Sequence, residues 1–215
     1  MAIATDAFGF ARVNTVGAAS TVTLAAAEAN EVAVIYIWND AAATPTVTVN
    51  GVSATQVGTG INITGTQYIR AFYFANPPTS SVNYVGTTVG GKTEIHVLLY
   101  KGGKQTGIPD SFNSQTGGLS PQTISTTVVA TGCWLVSMSR DYDTGVNNAS
   151  TGTTLRNAGI GAASGDSNGT VGTGSQGMTW TGNDGASHLG QFIVSIAPDA
   201  VVVVASNRLA LLGVG

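Results

Sequence analysis

The chain has 215 residues, only 9% of them charged, with 29 glycines and a formal net charge of −3. An average soluble domain carries about 25% charged residues; with no cluster of Lys or Arg, this chain lacks the electrostatic footprint of a nucleic-acid binder. The single cysteine, Cys133, excludes an internal disulfide and a thiolate zinc site. Its apolar surroundings (CWLVSM) read as those of a buried structural thiol.

The opening residues, MAIATDAFGF, have no basic segment followed by an uninterrupted apolar one, so no secretion signal is expected. No apolar run approaches the roughly 20 residues of a membrane span. The expectation is a protein made in a cytoplasm, with no membrane partner.

Along the chain, apolar segments are short, β-branched and bounded by Gly, Asn, Pro or Ser, which reads as strand after strand. Residues 20–25 (STVTLA) alternate. AAAEAN, residues 25–30, looks helical but offers little more than a turn. VAVIYIWN, residues 32–39, is apolar on both faces and reads as a central strand. Residues 46–52 carry Asn50-Gly51, the strongest short hairpin signal. YIRAFYFA, residues 68–75, ends at Pro77-Pro78 and is expected to pair with residues 81–87. TEIHVLLY, residues 93–100, puts Thr93, Ile95, Val97 and Leu99 on one face and leaves His96 on a polar one.

Residues 105–122 read as a long surface loop suited to partner contacts. Strands are expected over 123–130 and 133–141. Residues 143–177 are rich in Gly, Ser, Asn and Thr, with short edge strands over 153–160 and 170–171. Strands over 178–181, 191–197 and 201–205 complete the set. Trp134 shares a face with Val136 and Met138, and Trp180 with Met178. With Trp38 in the doubly apolar strand, all three read as core, leaving no stacking platform for a glycan except Tyr142.

Ten to twelve short strands with almost no helix predict an all-β fold, an antiparallel β-sandwich of jelly-roll type. The expected organisation is a single domain: an N-terminal arm and first strands (1–30), the sandwich (31–200), and an apolar C-terminal strand or assembly segment (201–215).

Several motifs suggest chemistry without supplying its context. GDSNG, residues 165–169, matches the serine-hydrolase elbow, and Asp184 and His188 follow in order. The elbow requires a following helix, which Gly172, Gly174 and Gly177 forbid, so Ser167 reads as part of a tight turn around Asn168-Gly169 and no catalytic residue is assigned. GTTVGGKT, residues 86–93, matches the phosphate-binding loop. Its Lys92 is followed by a strand pattern in place of the required helix, so it reads as a hairpin loop. Asp141/Asp143 and Asp166/Asn168 are D-x-[DN] pairs without the distal glutamate of a calcium loop. They read as turn residues, and no metal or cofactor is expected.

The chain end is more informative. VVVVASNRLALLGVG, residues 201–215, has Arg208 as its one charge. A free terminus is ordinarily polar and frayed, so this segment is either a last core strand or buried against another subunit. The second reading makes Val202, Val204, Leu209, Leu211 and Leu212, with Phe8 and Phe10 near the N-terminus, the candidate assembly interface.

These segments in order, VAVIYIWN, TVNGVSATQVG, YIRAFYFANPPTSSVNYVG, HVLLYKGG, STGTTLRNAGIGAASGDSNG, MTWT and FIVSIAP, make residues 30 to 198 resemble a β-sandwich domain that recurs in tailed-phage virion proteins. The resemblance implies a structural or attachment role on a virion, with no catalytic residues. It points to a capsid auxiliary (decoration) protein, with a tail or fibre component or a carbohydrate-binding adhesive module as alternatives. It implies as partners further copies of the chain, taken as a trimer, and other virion proteins such as the major capsid protein, with a glycan ligand open. The chain departs from the pattern after Pro198, where such domains usually end.

Overall fold

A computed structural model describes residues 2–141, 148–182 and 189–199. Among them there are seventeen strands and no helix. Low charge and abundant Thr and Val favour strands, and every strand pair among the described residues is antiparallel. Residues 25–30 form bends and a turn.

The strands make four sheets. The first inner sheet contains β1 (Ala4–Val13), β9 (Thr93–Lys101), β3 (Val32–Asn39), β7 (Tyr68–Ala75) and β6 (Thr55–Asn62), side by side in that order. The first outer sheet runs β2 (Ser20–Leu24), β8 (Val82–Thr87), β4 (Thr46–Val49), β5 (Val52–Ser53). The second inner sheet orders β10 (Ser111–Gly118), β17 (Leu189–Ile196), β12 (Trp134–Asp141), β15 (Ala162–Asp166) and β14 (Thr154–Ala158). The second outer sheet holds β11 (Gln122–Val128), β16 (Gly174–Thr181) and β13 (Asn148–Ala149).

The sheets stack in the order outer, inner, inner, outer. Ile35, Ile37, Ile95, Val97 and Leu99 fill the space between the first pair with Val47, Val49 and Tyr84. The opposite face of the same strands, Val34, Tyr36, Trp38, Leu98 and Tyr100, packs on Trp134, Val136, Met138, Phe192 and Val194. Leu135, Ile193 and Cys133 then meet Ile124 and Met178 of the last sheet. An inner strand is therefore covered on both faces, which is why VAVIYIWN and WLVSMSRD are buried at every position. Trp38, Trp134 and Trp180 are all core, and Trp134 shares its face with Val136 and Met138 as its alternation requires.

The second half of the chain repeats the first. Across the sheets, β10, β17, β12, β15 and β14 take the places of β1, β9, β3, β7 and β6, while β11, β16 and β13 take those of β2, β8 and β4. The two inner sheets face each other about an approximate twofold that runs along the strands between β3 and β12. Tyr36 donates its hydroxyl to Val136 O across that line at 2.8 Å. To one side β1 lies against β14, where Arg156 covers the ring of Phe8. To the other β10 lies against β6, where Phe112, the counterpart of Phe8, occupies the space that a side chain at Gly58 would need.

Local expectations fare unevenly. Asn50 and Gly51 have φ of 50° and 80° and close the β4–β5 hairpin. The strand at 68–75 does not pair with 81–87: β7 lies between β3 and β6, while β8 lies between β2 and β4. Pro77 and Pro78 lie in the segment that carries the chain from one sheet to the other. Residues 86–93 likewise join two different sheets and are not a hairpin loop. Residues 105–122 contain β10, paired along β17, so they are not one long loop. AASGD, residues 162–166, is a buried strand between β12 and β14, in a region where short edge strands alone were expected.

Candidate assembly edge and the buried polar seam

β1 carries Phe8, Phe10 and Arg12 on the face that looks toward the second inner sheet, opposite Leu98, His96 and Glu94 of β9. As the last strand of its sheet it is only partly covered. Phe8 is 43% and Phe10 42% exposed. Leu155 of β14 and Ile160 of the following turn, the latter 66% exposed, are also exposed near this edge. Arg12 donates to Ile160 O, tying the turn to β1. Val202, Val204, Leu209, Leu211 and Leu212 lie outside the described residues, as do Tyr142, Asp143, Asp184 and His188.

Behind Phe10, whose ring centroid stands 5.5 Å from that of His96, the two halves meet through polar groups. His96 is fully buried and does not occupy a solvent-facing position. The partner face is polar too, which allows this. His96 Nε2 lies 2.8 Å from Glu94 Oε1, and Nδ1 lies 3.0 Å from Ser164 Oγ. Asn157 donates to the same Ser164 oxygen at 3.1 Å. Arg12 reaches to 3.6 Å from Glu94 Oε2. The guanidinium groups of Arg12 and Arg140 both lie over the ring of Trp38, at 4.8 and 4.6 Å. Burial pulls Arg140 down to about 10, which still leaves it cationic at neutral pH. Gly159 and Gly161 make this packing possible, because a Cβ at either would overlap the Glu94 carboxylate or the Arg140 guanidinium.

Ser164, His96 and Glu94 thus form a nucleophile–base–acid chain by distance. A working relay also needs room for a reacting carbonyl beside the serine. All three side chains are sealed between two sheets, so the chain of hydrogen bonds acts as a clamp between the halves.

The GDSNG segment contributes a second clamp. Asp166 ends β15, fully buried, and its carboxylate accepts from Arg156 Nε and Nη2 at 2.9 Å each. It also accepts from the hydroxyls of Tyr100 (3.0 Å) and Thr5 (3.2 Å), both in the first half, and from Asn168 N–H (2.9 Å). Burial first, and then the Asp166 charge, hold the Tyr100 phenol well above its usual range. A carboxylate so engaged by an arginine is an ion-pair partner, and Asn168 Oδ1 is also taken by Arg156, at 2.7 Å. Ser167 accepts from Leu135 N–H at 3.2 Å and donates to Gly169 O at 2.7 Å. It sits in a turn with no helix after it. Asn168 has φ of 49°, but Gly169 does not share the positive φ expected of it.

A third polar group lies near the start of β1. Glu31 is buried beside Asp6, its Oε2 has no hydrogen-bond partner, and its Oε1 accepts from Glu28 N–H at 2.9 Å. Burial raises the Glu31 pKa, and the Asp6 carboxyl raises it further. Lys101 bridges Asp6 (3.5 Å) and Glu28 (3.1 Å) from the solvent side. The Tyr84 hydroxyl is also buried without a partner, and its pKa is raised by burial and by Glu31 and Asp6.

Comparison with family models, curated proteins and solved structures gives no match.

Sequence reasoning named Phe8 and Phe10, which the structure leaves half-exposed on an edge strand, and did not find the seam. One signal was present. Glu94 and His96 alternate with Ile95, Val97 and Leu99 in a chain with few charges, next in its sheet to a strand apolar on both faces.

Proposed function

We propose that the chain is a structural protein of a tailed-phage particle, a capsid auxiliary protein that stabilises the shell through contacts between subunits. The fold suits a mechanical role: four sheets share continuous packing, and the two halves are locked by a core and two buried ionic clusters. The observation that carries the reading is the half-exposed pair Phe8 and Phe10 on a strand whose outer side has no partner strand among the described residues. Apolar groups on a rigid sheet edge are contact surface. The runs 1-9-3-7 and 2-8-4-5 of the first half support a jelly-roll reading, and 10-17-12-15 with 11-16-13 follow the same order among the described residues of the second. We read the chain as two jelly rolls in tandem, assembling as a closed homo-oligomer, a trimer, on the particle.

The test is biochemical. Particles banded on a density gradient are expected to contain the protein at a fixed copy number relative to the major capsid protein. A protein left in the soluble fraction of the lysate, absent from the particles, overturns the proposal.

A second reading, an adhesive module for glycans, draws on the polar groove lined by Asn113, Ser125 and Thr127. Binding on a glycan array that is lost in Asn113→Ala would favour it.

A further inference from the structure

Three features meet at the exposed edge of β1. No strand of the described chain pairs with its outer side, since β1 ends the sheet and β9 takes the other side. An edge of this length is a template for a further strand, and Phe8, Phe10 and Ile160 add apolar surface to it.

The described chain also stops close by. Asp199 N–H donates to Gly102 O at 2.8 Å, Gly102 follows Lys101, and Lys101 pairs with Ala4 at the start of β1. Residues 200–215 continue the chain from there, and Arg208 is their one charge, between the valines of 201–204 and the leucines of 209–212. Extended, such a segment reaches about 50 Å, more than the roughly 34 Å of a ten-residue strand.

Direction decides whose segment it is. Leaving Asp199 and following β1 of its own chain, it would start at Ala4 and run parallel to β1. Every strand pair among the described residues is antiparallel, and parallel pairing is the weaker form per residue. A segment from another copy is free to enter at Val13 and run antiparallel. We propose that residues 201–212 of one copy lie antiparallel along the β1 edge of a second copy, their apolar side chains covering Phe8, Phe10 and Ile160. The proposal rests on the homo-oligomer reading above and names the surfaces that build it.

The experiment uses full-length chains. Phe8→Cys is mixed and refolded with each of Val202→Cys, Val204→Cys, Leu209→Cys and Leu211→Cys, then oxidised. The native Cys133 is buried and does not compete. At least one mixture is expected to give a disulfide joining one chain of each kind, identified by peptide mass, with neither variant linking to the same position alone. A link within one chain in the matching double variant, with none between chains, overturns the proposal. So does an oligomer by light scattering that gives no link at any of the four positions, although the assembly reading then stands. A monomer by light scattering, with no link between chains, overturns both.

Discussion

His96 and Ser164 belong to different halves of the chain and meet at 3.0 Å in a space closed to solvent. Their contact is one of the places where the two inner sheets recognise each other. Ser164→Ala leaves His96 Nδ1 and the Asn157 amide without their shared partner, and an unsatisfied buried polar group costs about 1–3 kcal/mol. The denaturant midpoint is expected to fall accordingly. An unchanged midpoint would mean that the seam contributes nothing.

Neighbouring residues of GDSNG separate sharply. Asp166→Ala strands Arg156 and Tyr100, and removing one partner of a buried ion pair costs about 3–5 kcal/mol. Ser167→Ala removes hydrogen bonds within a turn and should cost about 1 kcal/mol, with no change in hydrolysis of a chromogenic ester. Equal losses for the two variants would contradict the assignment of Asp166 as a buried clamp.

Stability should fall as pH rises near Glu31. Its folded pKa lies above the ordinary 4.5, so the folded chain binds this proton more tightly than the unfolded one does. The contribution is present below 4.5 and is lost as pH climbs through the raised value. Glu31→Gln keeps a neutral donor beside Asp6. Its melting temperature at pH 8 should equal or exceed that of the parent, with a flatter pH profile. A steeper profile in the variant would count against a raised Glu31 pKa.

Cutting the link between halves should not separate them. A protease site placed at residues 106–107, between Lys104 and the start of β10, is expected to give a nicked protein that elutes at the parent volume. The shared core and both ionic clusters remain intact in it. Two smaller species in native buffer would show that the halves are joined by the linker alone.

Much of the local structure was legible. Asn50-Gly51 marks its hairpin because a positive-φ pair has few alternatives, and VAVIYIWN announces a strand covered twice. The alternation around Trp134 assigns both of its faces correctly. The doubling was hidden because equivalent positions carry different residues. Taking Phe8 with Phe112, the register pairs His96 with Phe192, Glu94 with Gly190, and Ala71 with Ser164. Strand order is a property of distant pairings, and no local pattern states it. AASGD lacks the β-branched residues that identify a strand, and at Gly165 a Cβ would overlap Thr154 O of β14. Glu94, His96 and Arg140 become a site only once the halves are face to face.

Those unlike equivalents also discriminate between partners. Were two N-terminal halves from different chains to associate through the same face, Glu94 and His96 would lie against Ile69 and Ala71, where no serine or arginine answers them. Burying a carboxylate in that setting is strongly unfavourable. The correct pairing supplies Ser164, Arg140 and the two glycines instead. During synthesis the N-terminal half leaves the ribosome first, with an apolar sheet face uncovered, among many identical neighbours. The polar groups set into that face are a barrier to premature association, and Ser164 and Arg140 join Arg12 in answering them only when the remainder of the same polypeptide arrives.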